Sequence, residues 1–417
     1  MRPAAKVWYL PWCNLAAMFL MMTTAVGFGI NGMTLFYDAV VTELSCNGFT
    51  QTNFSLYYSL ANLSAIFSFP FFGVYYTKRI HRMKQMFFAL SLITFSTYIG
   101  YSFSYRLWHF YALSIVRGIV SSGLATIPVT TVLNNWFVEK RNTVISIALM
   151  GSSFGTIFYT KISEYFIVTH GWRIAYFAAG LIEFLTLCLV VMTFSPTPSF
   201  CHAQPYGALP KKVEIKSGIS VQHAIHMPMF WVTGFSFFLG AVALMGIQQC
   251  FTTALQVEHG LSISVAGNAM GIHMLAICGG KYIMGALYDH FDHRVGLLYS
   301  SALAIFGILL LTKQTIGPAQ AYLFALCFGL GNMSSSITSA TLASDLFGLS
   351  EYAAIYGFFN MFIYGGVALA PLAASAIYDK MGSYRSAWYL FAGVMALSCG
   401  LLFATLTKRR SKLYIRE

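Results

Sequence analysis

Long apolar runs, rather than short alternating segments, dominate the hydrophobic pattern of this 417-residue chain. A helix needs about 20 apolar residues to cross the hydrocarbon core of a bilayer. Strict alternation of apolar and polar positions, which membrane barrel strands need, is missing from most of the runs. The pattern therefore predicts twelve membrane-spanning helices, near residues 12–36, 53–75, 86–104, 108–133, 143–168, 174–195, 229–254, 263–287, 295–311, 319–341, 353–377 and 386–406.

Composition supports the membrane class. Only 9% of the residues are charged, whereas soluble domains carry about 25%. With 57% hydrophobic residues, a soluble fold would lack the polar groups to cover its surface. Disordered chains are poor in aromatic residues, which make up 17% of this chain. We therefore expect an integral membrane protein.

The basic residues predict the orientation of the spans, because cytoplasmic loops carry an excess of Lys and Arg. With the N-terminus inside, 17 of the 25 Lys and Arg residues fall in inner segments and 5 in outer loops. The other 3, Arg117, Lys161 and Lys281, lie within spans. We expect a multi-pass protein of the plasma membrane with both termini in the cytoplasm. The net charge of +12 then needs no nucleic-acid partner.

The longest stretch between spans divides the chain into two halves. Residues 196–228 are rich in proline and carry the basic pair Lys211–Lys212, as is typical of a cytoplasmic linker. The predicted domains are a six-helix bundle over residues 1–195, this linker, and a second six-helix bundle with a short cytoplasmic tail over residues 229–417.

The two halves share landmarks at a nearly constant spacing of 211 or 212 residues. A regular offset of this kind indicates that a six-helix unit has been duplicated. The matched pairs are Gly73 and Gly285, Gly155 and Gly366, Gly171 and Gly382, and Arg173 and Arg385.

Two loops resemble a signature of the major facilitator superfamily. The first reads Gly73-Val-Tyr-Tyr-Thr-Lys-Arg-Ile-His-Arg82, with Thr77 where an aspartate is usual. The second reads Gly285-Ala-Leu-Tyr-Asp-His-Phe-Asp-His-Arg294 and keeps the acid. The resemblance implies an all-α membrane protein with twelve transmembrane helices in two pseudo-symmetric six-helix bundles. It also implies gating roles for the loop residues Lys78, Arg79, Arg82, Asp289 and Arg294.

Further segments are similar to the monocarboxylate transporters and the oxalate:formate antiporter group. They are Asn135 to Arg141, Gly151 to Gly155, Gly171 to Arg173, Asp345 to Gly357, and Asp379 to Tyr384. The similarity covers nearly the whole chain. It implies that the protein carries a small organic anion by alternating access to one central site.

Lys281 is the main candidate for binding that anion. It lies eight residues before Asp289, which at 1.5 Å per residue is roughly 12 Å into the membrane. In the transporters that the chain resembles, an arginine at the matching position binds the substrate carboxylate. The alternative is a structural cation held by an acid partner. One turn earlier, Ile277-Cys278 lacks the carboxylate of the proton-coupled members, which favours anion exchange or uniport.

Other ionisable residues inside spans leave two interpretations open. Arg117 in span 4 is a second anion contact or coupling residue, or else the structural partner of Glu183 in span 6. Lys161 and Glu164 are spaced i, i+3 and can pair on one face of the helix. A snorkelling or paired couple is favoured for them over a substrate role. His273 in span 8 is a further substrate candidate, with a buried structural histidine as the alternative.

Neutral polar residues fall on the spans that line the cavity in the resembled fold. Each either contacts substrate or makes a helix–helix hydrogen bond. These residues are Asn31, Gln248, Asn332, Asn360 and Tyr364.

The eleventh span lacks the second cation with which the resembled oxalate antiporter holds a dianion. This favours lactate, pyruvate or formate over oxalate, unless Arg117 supplies the second charge. Two alternatives remain open. One is an exporter of drug-like or other small molecules with the same fold, and the other is a sensor that has lost transport.

No motif predicts an enzyme or a cofactor. Gly280-Lys281 is not part of a phosphate-binding loop, because Leu275 stands where the upstream glycine is required. The eight cysteines are scattered without a CxxC pair, and no acid–base constellation stands out. We expect no cofactor and no metal, and a functional monomer whose partners are the anion and the bilayer.

Overall fold

The protein folds into helices joined by short connections. A computed structural model describes residues 9–29, 33–207, 218–332 and 336–406. Within these residues the only extended pairing consists of two isolated bridges, Phe137 with Tyr206 and Gly218 with Gly348. The chain divides into two compact units, Met1–Glu214 and Ile215–Glu417, called unit 1 and unit 2 below.

Unit 1 begins with an α-helix that continues as a π-helix. A seven-residue π-helix, Met22–Phe28, continues α1 and widens the winding before the helix ends. The α-helices are α1 (Leu10–Met21), α2 (Tyr37–Leu44), α3 (Gln51–Lys78), α4 (Met83–Ser102), α5 (Leu107–Leu124), α6 (Thr126–Trp136) and α7 (Arg141–Thr193).

Unit 2 repeats this arrangement with a short helix in front. Its helices are α8 (Val221–Ala224), α9 (Pro228–Val257), α10 (Ile263–His290), α11 (His293–Leu311), α12 (Pro318–Gly331), α13 (Ile337–Phe347), α14 (Tyr352–Met381) and α15 (Arg385–Thr405).

Eight helices of the described chain are long and apolar enough to cross a membrane. One of them, α7, contains two of the predicted spans, because its 53 residues are interrupted at Gly171. Gly171 has a φ of +81°, and its repeat partner Gly382 ends α14 with a φ of +70°. Both glycines adopt the left-handed region that residues with a Cβ disfavour. The all-α, duplicated fold predicted from the sequence is confirmed.

The predicted first span, 12–36, was too long. The helix begins at Leu10 and ends with the π-helix at Phe28, and a separate 3₁₀ turn, Met33–Phe36, precedes α2. Gly27 and Gly29 lie at this end. Hydropathy does not register the low helix propensity of glycine.

Two predicted spans, 108–133 and 319–341, are each divided into two helices. Ala125 separates α5 from α6 with a non-helical φ and ψ of −86° and −136°. In unit 2, α12 ends at Gly331 and α13 begins at Ile337. The two breaks fall at equivalent places in the repeat. Apolar content is continuous across both, so the hydrophobic pattern alone does not reveal them.

Glycines on α7 bring it close to the first helix of unit 1. A Cβ on Gly155 would lie 2.1 Å from the carbonyl oxygen of Thr23, and one on Gly151 would lie 2.4 Å from that of Phe19. Gly27 in turn faces Gly155, with 2.8 Å between its built Cβ and the Gly155 Cα. This spacing of small residues lets the two backbones touch, which is how membrane helices gain packing contacts.

Gly155→Ala is therefore expected to destabilise unit 1. The new methyl group meets a backbone carbonyl that cannot rotate away, and overpacking of this kind costs about 3 kcal/mol. Thermal unfolding of the purified protein in detergent measures the change. The matched control is Gly267→Ala on α10, where a Cβ meets nothing within 4 Å and the lower backbone entropy of alanine adds a little stability. Equal melting temperatures for the two variants would contradict the packing argument.

The linker is tied to each unit at equivalent places. The backbone N–H of Tyr206 donates to the carbonyl of Trp136 at the end of α6. The N–H of Ile219 donates to the carbonyl of Phe347 at the end of α13. Trp136 and Phe347 are 211 residues apart, so both ends of the linker use the same element of the repeat.

Candidate functional site

Lys281 lies on the inward face of α10, well away from either end of the helix. The residue is only 7% exposed. The preceding Gly280 packs directly on α12, since a Cβ there would lie 2.9 Å from the carbonyl oxygen of Leu330. Gly279 has open space around it, and Tyr282 is 50% exposed on the outer face. Lys281 is thus buried within unit 2, next to the residue at which α10 and α12 make close contact.

Two of the predicted polar residues meet at the break between α12 and α13. Asn332 directly follows the last residue of α12 and is buried. Its Nδ2 donates to Oε1 of Gln248 on α9 at 2.9 Å. Asn332 lies two residues beyond Leu330, which contacts Gly280. Lys281, Asn332 and Gln248 therefore belong to the same level of unit 2, where α9, α10 and α12 come together.

The remaining predicted residues of unit 2 lie apart from that level or bond within their own helix. Asn360 on α14 is buried and its Nδ2 donates to the Tyr356 carbonyl at 2.8 Å. Tyr364 is half-buried one turn further along the same helix. The predicted contact of these residues with substrate stays a prediction.

His273 is fully buried among aromatic rings. Its imidazole stacks on Phe328 with a centroid distance of 5.2 Å and meets the edge of Phe251 at 5.6 Å. This packing favours the structural alternative for His273. The predicted ligand Asn31 lies outside the described residues.

Unit 1 contains a buried ion pair. Nη2 of Arg117 on α5 lies 2.9 Å from both carboxylate oxygens of Glu183 on α7. Their side chains are 3% and 0% exposed. The ring of Tyr98 lies under the guanidinium at 4.9 Å, and a Cβ at Gly29 would collide with Nη2. Of the two interpretations left open for Arg117, the geometry supports the pair with Glu183.

The other charged pair predicted within a span also forms. Nζ of Lys161 lies 3.1 Å from Oε2 of Glu164 on α7. Their side chains are 79% and 60% exposed, so the pair lies on the surface of the helix and away from the interior.

The two loops that resemble the superfamily signature differ in how firmly they are held. In the first, Arg79 directly follows α3 and Arg82 ends a 3₁₀ turn, and both are exposed. In the second, Asp292 accepts a hydrogen bond from the N–H of Arg294 at the start of α11. The Arg294 guanidinium donates to the Leu406 carbonyl and lies over the Phe403 ring. The loop that keeps the acid is thus fixed to the end of α15.

Sequence reasoning missed a contact between this loop and α13. His293 Nε2 lies 2.5 Å from Oδ2 of Asp345, and the ring of Tyr288 stacks on His293. The Tyr288 hydroxyl bonds to Thr338 at 2.8 Å. His293 and Asp345 are 52 positions apart, and the sequence between them carries no local signal of the contact.

The profile of the Major Facilitator Superfamily matches residues 15–371 and again residues 251–415. The first match covers most of the chain. The chain belongs to the major facilitator superfamily. It is therefore a membrane transporter by family, in agreement with its apolar helices.

Other members of the superfamily with different substrates are similar to this chain. The multi-drug resistance efflux pump PmrA of Streptococcus pneumoniae is 23% identical over 365 residues, which is 86% of each chain. Human monocarboxylate transporter 2 is 21% identical over 293 residues, 66% of this chain and 59% of that one. The crystal structure of the major facilitator transporter FucP in the outward conformation matches with a TM-score of 0.69 at 14% identity, covering 96% and 98%.

These similarities give the transporter class without the substrate. The structural feature that bears on the substrate is the division of two predicted spans, one into α5 and α6 and the other into α12 and α13. Secondary transporters commonly bind substrate at discontinuous helices near the bilayer midplane. In this superfamily member the break in unit 2 begins at Asn332, two residues after Leu330, which contacts Gly280 next to Lys281.

Proposed function

We propose that this transporter carries small monocarboxylates, such as lactate, pyruvate or formate, with Lys281 as the main contact for the carboxylate. The observation that carries the proposal is the burial of the Lys281 side chain at the level of the α12 break. A buried ionisable residue is costly in a membrane protein and is usually functional. A cation in a low-dielectric site attracts an anion more strongly than it does in water.

The amide pair Gln248–Asn332 supports the same proposal. The amide nitrogen of Asn332 carries two N–H groups, and one of them is used on Gln248. An amide donor beside an ammonium is suited to orient the second oxygen of a carboxylate. We therefore propose Lys281 and Asn332 as the substrate contacts of unit 2, with Gln248 holding Asn332 in place.

A monoanion fits better than a dianion. The only cation in α14 is Lys380, at its end and exposed. Arg117 would supply a second charge only by exchanging Glu183 for the substrate, and that pair is buried and close. We therefore propose lactate, pyruvate or formate as the substrate in preference to oxalate. Since Ile277 and Cys278 occupy the turn before Lys281, we propose exchange or uniport rather than proton symport through that turn.

Drug export is the second candidate, and the similarity to PmrA over 86% of the chain favours it. The charge of the candidate site argues against cationic drugs, because a buried ammonium repels them. An exporter of neutral or anionic compounds stays compatible with Lys281.

Orientation and assembly are part of the proposal. The bias of 17 to 5 basic residues supports cytoplasmic termini in a plasma membrane. We propose that a single chain is the functional transporter, with two six-helix bundles over residues 1–195 and 229–417 joined by the cytoplasmic linker.

Counterflow in proteoliposomes tests the function. Purified protein is reconstituted with one unlabelled acid inside and the same labelled acid outside, using formate, lactate, pyruvate and oxalate in turn. We expect transient accumulation of at least one monocarboxylate and weaker accumulation of oxalate. Protein-free liposomes and ethidium, a cationic drug-like probe, are the controls. Accumulation of ethidium without any acid would reject the carboxylate proposal in favour of export.

A further inference from the structure

A cavity of about 430 Å³ opens on one face of unit 2, away from Lys281. Three loops meet around it, following α9, α11 and α14. The basic-residue distribution predicts that this face is the outer one. Its lining residues are Val257, Glu258, His259, Lys313, Gln314, Tyr378, Gly382, Ser383 and Arg385.

The lining carries more positive than negative charge. Lys313 and Arg385 are cations, His259 is a third basic group, and Glu258 is the one acid among the lining residues. In the described part of the chain, no acid lies within ion-pair distance of Lys313 or Arg385. Asp379 is exposed on the last turn of α14 and does not line the cavity.

Some polar groups around the cavity already have partners in the protein. Oε1 of Glu258 accepts a hydrogen bond from the backbone N–H of Tyr384, so this acid is held at the wall. The Arg385 side chain lies beside the Tyr389 hydroxyl. Both ring nitrogens of His259 are shielded from solvent and have no hydrogen-bond partner within the described residues.

The repeat provides an internal comparison. Arg173 of unit 1 occupies the position that corresponds to Arg385, and its guanidinium is paired with Glu43. Glu43 also accepts from Nε1 of Trp172 at 2.6 Å. In unit 2 the acid that contacts the matching loop is Glu258, and it bonds to the Tyr384 backbone instead. The second copy of the unit thus replaces an arginine–carboxylate pair by a cavity with an arginine on its wall.

We infer that this cavity binds a small carboxylate between Lys313 and Arg385. A carboxylate oxygen there would take the place that Glu43 holds in unit 1, and arginine recognises carboxylates through paired N–H donors. The volume suits a small ligand. The choice of carboxylate as ligand rests on the proposed function. The site would collect substrate at the entrance, apart from the transport site at Lys281.

Equilibrium binding of [¹⁴C]pyruvate to the purified full chain in detergent, without anionic lipid, tests the inference. Lys281→Gln removes the candidate transport site, and Lys281→Met gives a second background. We expect weak saturable binding to persist in both. Adding Lys313→Gln and Arg385→Gln should weaken it roughly tenfold, since each exposed charge contact contributes a few-fold.

Matched variants separate charge from folding. Lys380→Gln removes an exposed cation near the cavity that does not line it, and binding should be unchanged. Lys313→Arg with Arg385→Lys keeps both charges, and binding should be within a few-fold of the starting level. All proteins must elute as a single peak in size exclusion. No residual binding in the Lys281 backgrounds, or binding that ignores Lys313 and Arg385, overturns the inference.

The outcomes distinguish this site from the transport proposal. Counterflow that depends on Lys281, without residual binding, leaves the transport proposal standing and removes the cavity site. Residual pyruvate binding that depends on Lys313 and Arg385, without any counterflow, keeps the cavity site and rejects the transport proposal. In a separate sample with phosphatidylglycerol added, lipid retention that depends on Lys313 and Arg385, with no pyruvate binding in the lipid-free sample, would assign the cavity to a lipid headgroup and overturn the inference.

Discussion

Lys281→Gln is expected to lower the kcat/KM for counterflow of a transported monocarboxylate by at least about 30-fold. Removing one partner of a buried charge contact costs about 2–5 kcal/mol, and 1.4 kcal/mol is tenfold at room temperature. Initial rates of labelled acid uptake into loaded proteoliposomes measure the effect. Lys281→Arg keeps the charge and should retain most of the rate, since the attraction between the buried cation and the carboxylate is kept.

The matched control for Lys281 is Lys161→Gln. It makes the same chemical change on a side chain that is 79% exposed on α7, and we expect rates within about twofold of the native protein because exposed ion pairs contribute little. A Lys281→Gln protein that transports normally would remove the basis of the proposed site.

The melting temperature decides what a loss of transport by Lys281→Gln means. Glutamine keeps a polar end while removing an ammonium from a low-dielectric interior. We therefore expect a melting temperature close to that of the native protein. A fall in both transport and melting temperature would support the alternative of a structural cation.

Breaking the Arg117–Glu183 pair is expected to give the largest loss of stability in unit 1. Removing one member of a buried pair leaves the other charge buried and uncompensated, which costs about 3–5 kcal/mol. Arg117→Met and Glu183→Leu should each lower the melting temperature strongly. The double variant should recover most of the loss, because apolar replacements of a whole buried pair are often neutral. Thermal unfolding in detergent measures all three variants.

The exposed pair on α7 is the control for this double-variant cycle. Lys161→Gln, Glu164→Gln and their combination should change the melting temperature little, because both partners are solvated. If Glu183→Leu keeps its melting temperature but loses transport, the pair acts in coupling and not in support of the fold.

Features that depend on local composition were predicted correctly from the sequence. The length of the apolar runs gave the membrane class, because crossing hydrocarbon requires about 20 apolar residues wherever they pack. The glycine spacing gave the repeat, and Gly171 and Gly382 do adopt left-handed backbone at the predicted boundaries. The Lys161–Glu164 pair followed from i, i+3 spacing along one helix.

Features that depend on which helix faces meet required the tertiary structure. A membrane helix is apolar toward both its neighbours and the lipid, so hydropathy does not mark the packed face. The sequence left open whether Arg117 contacts the anion or pairs with Glu183. Only the packing of α5 against α7 showed that Nη2 of Arg117 lies 2.9 Å from the Glu183 carboxylate.

Part of the candidate site was likewise predictable from the sequence, and part required the tertiary structure. The chain by itself determined that a lysine lies in the middle of the eighth span, because depth follows from counting residues along a helix. The Gln248–Asn332 bond at the break between α12 and α13 and the cavity at Lys313 and Arg385 bring together residues up to 128 positions apart. Their proximity depends on the packing of α9 to α15, which no local pattern encodes.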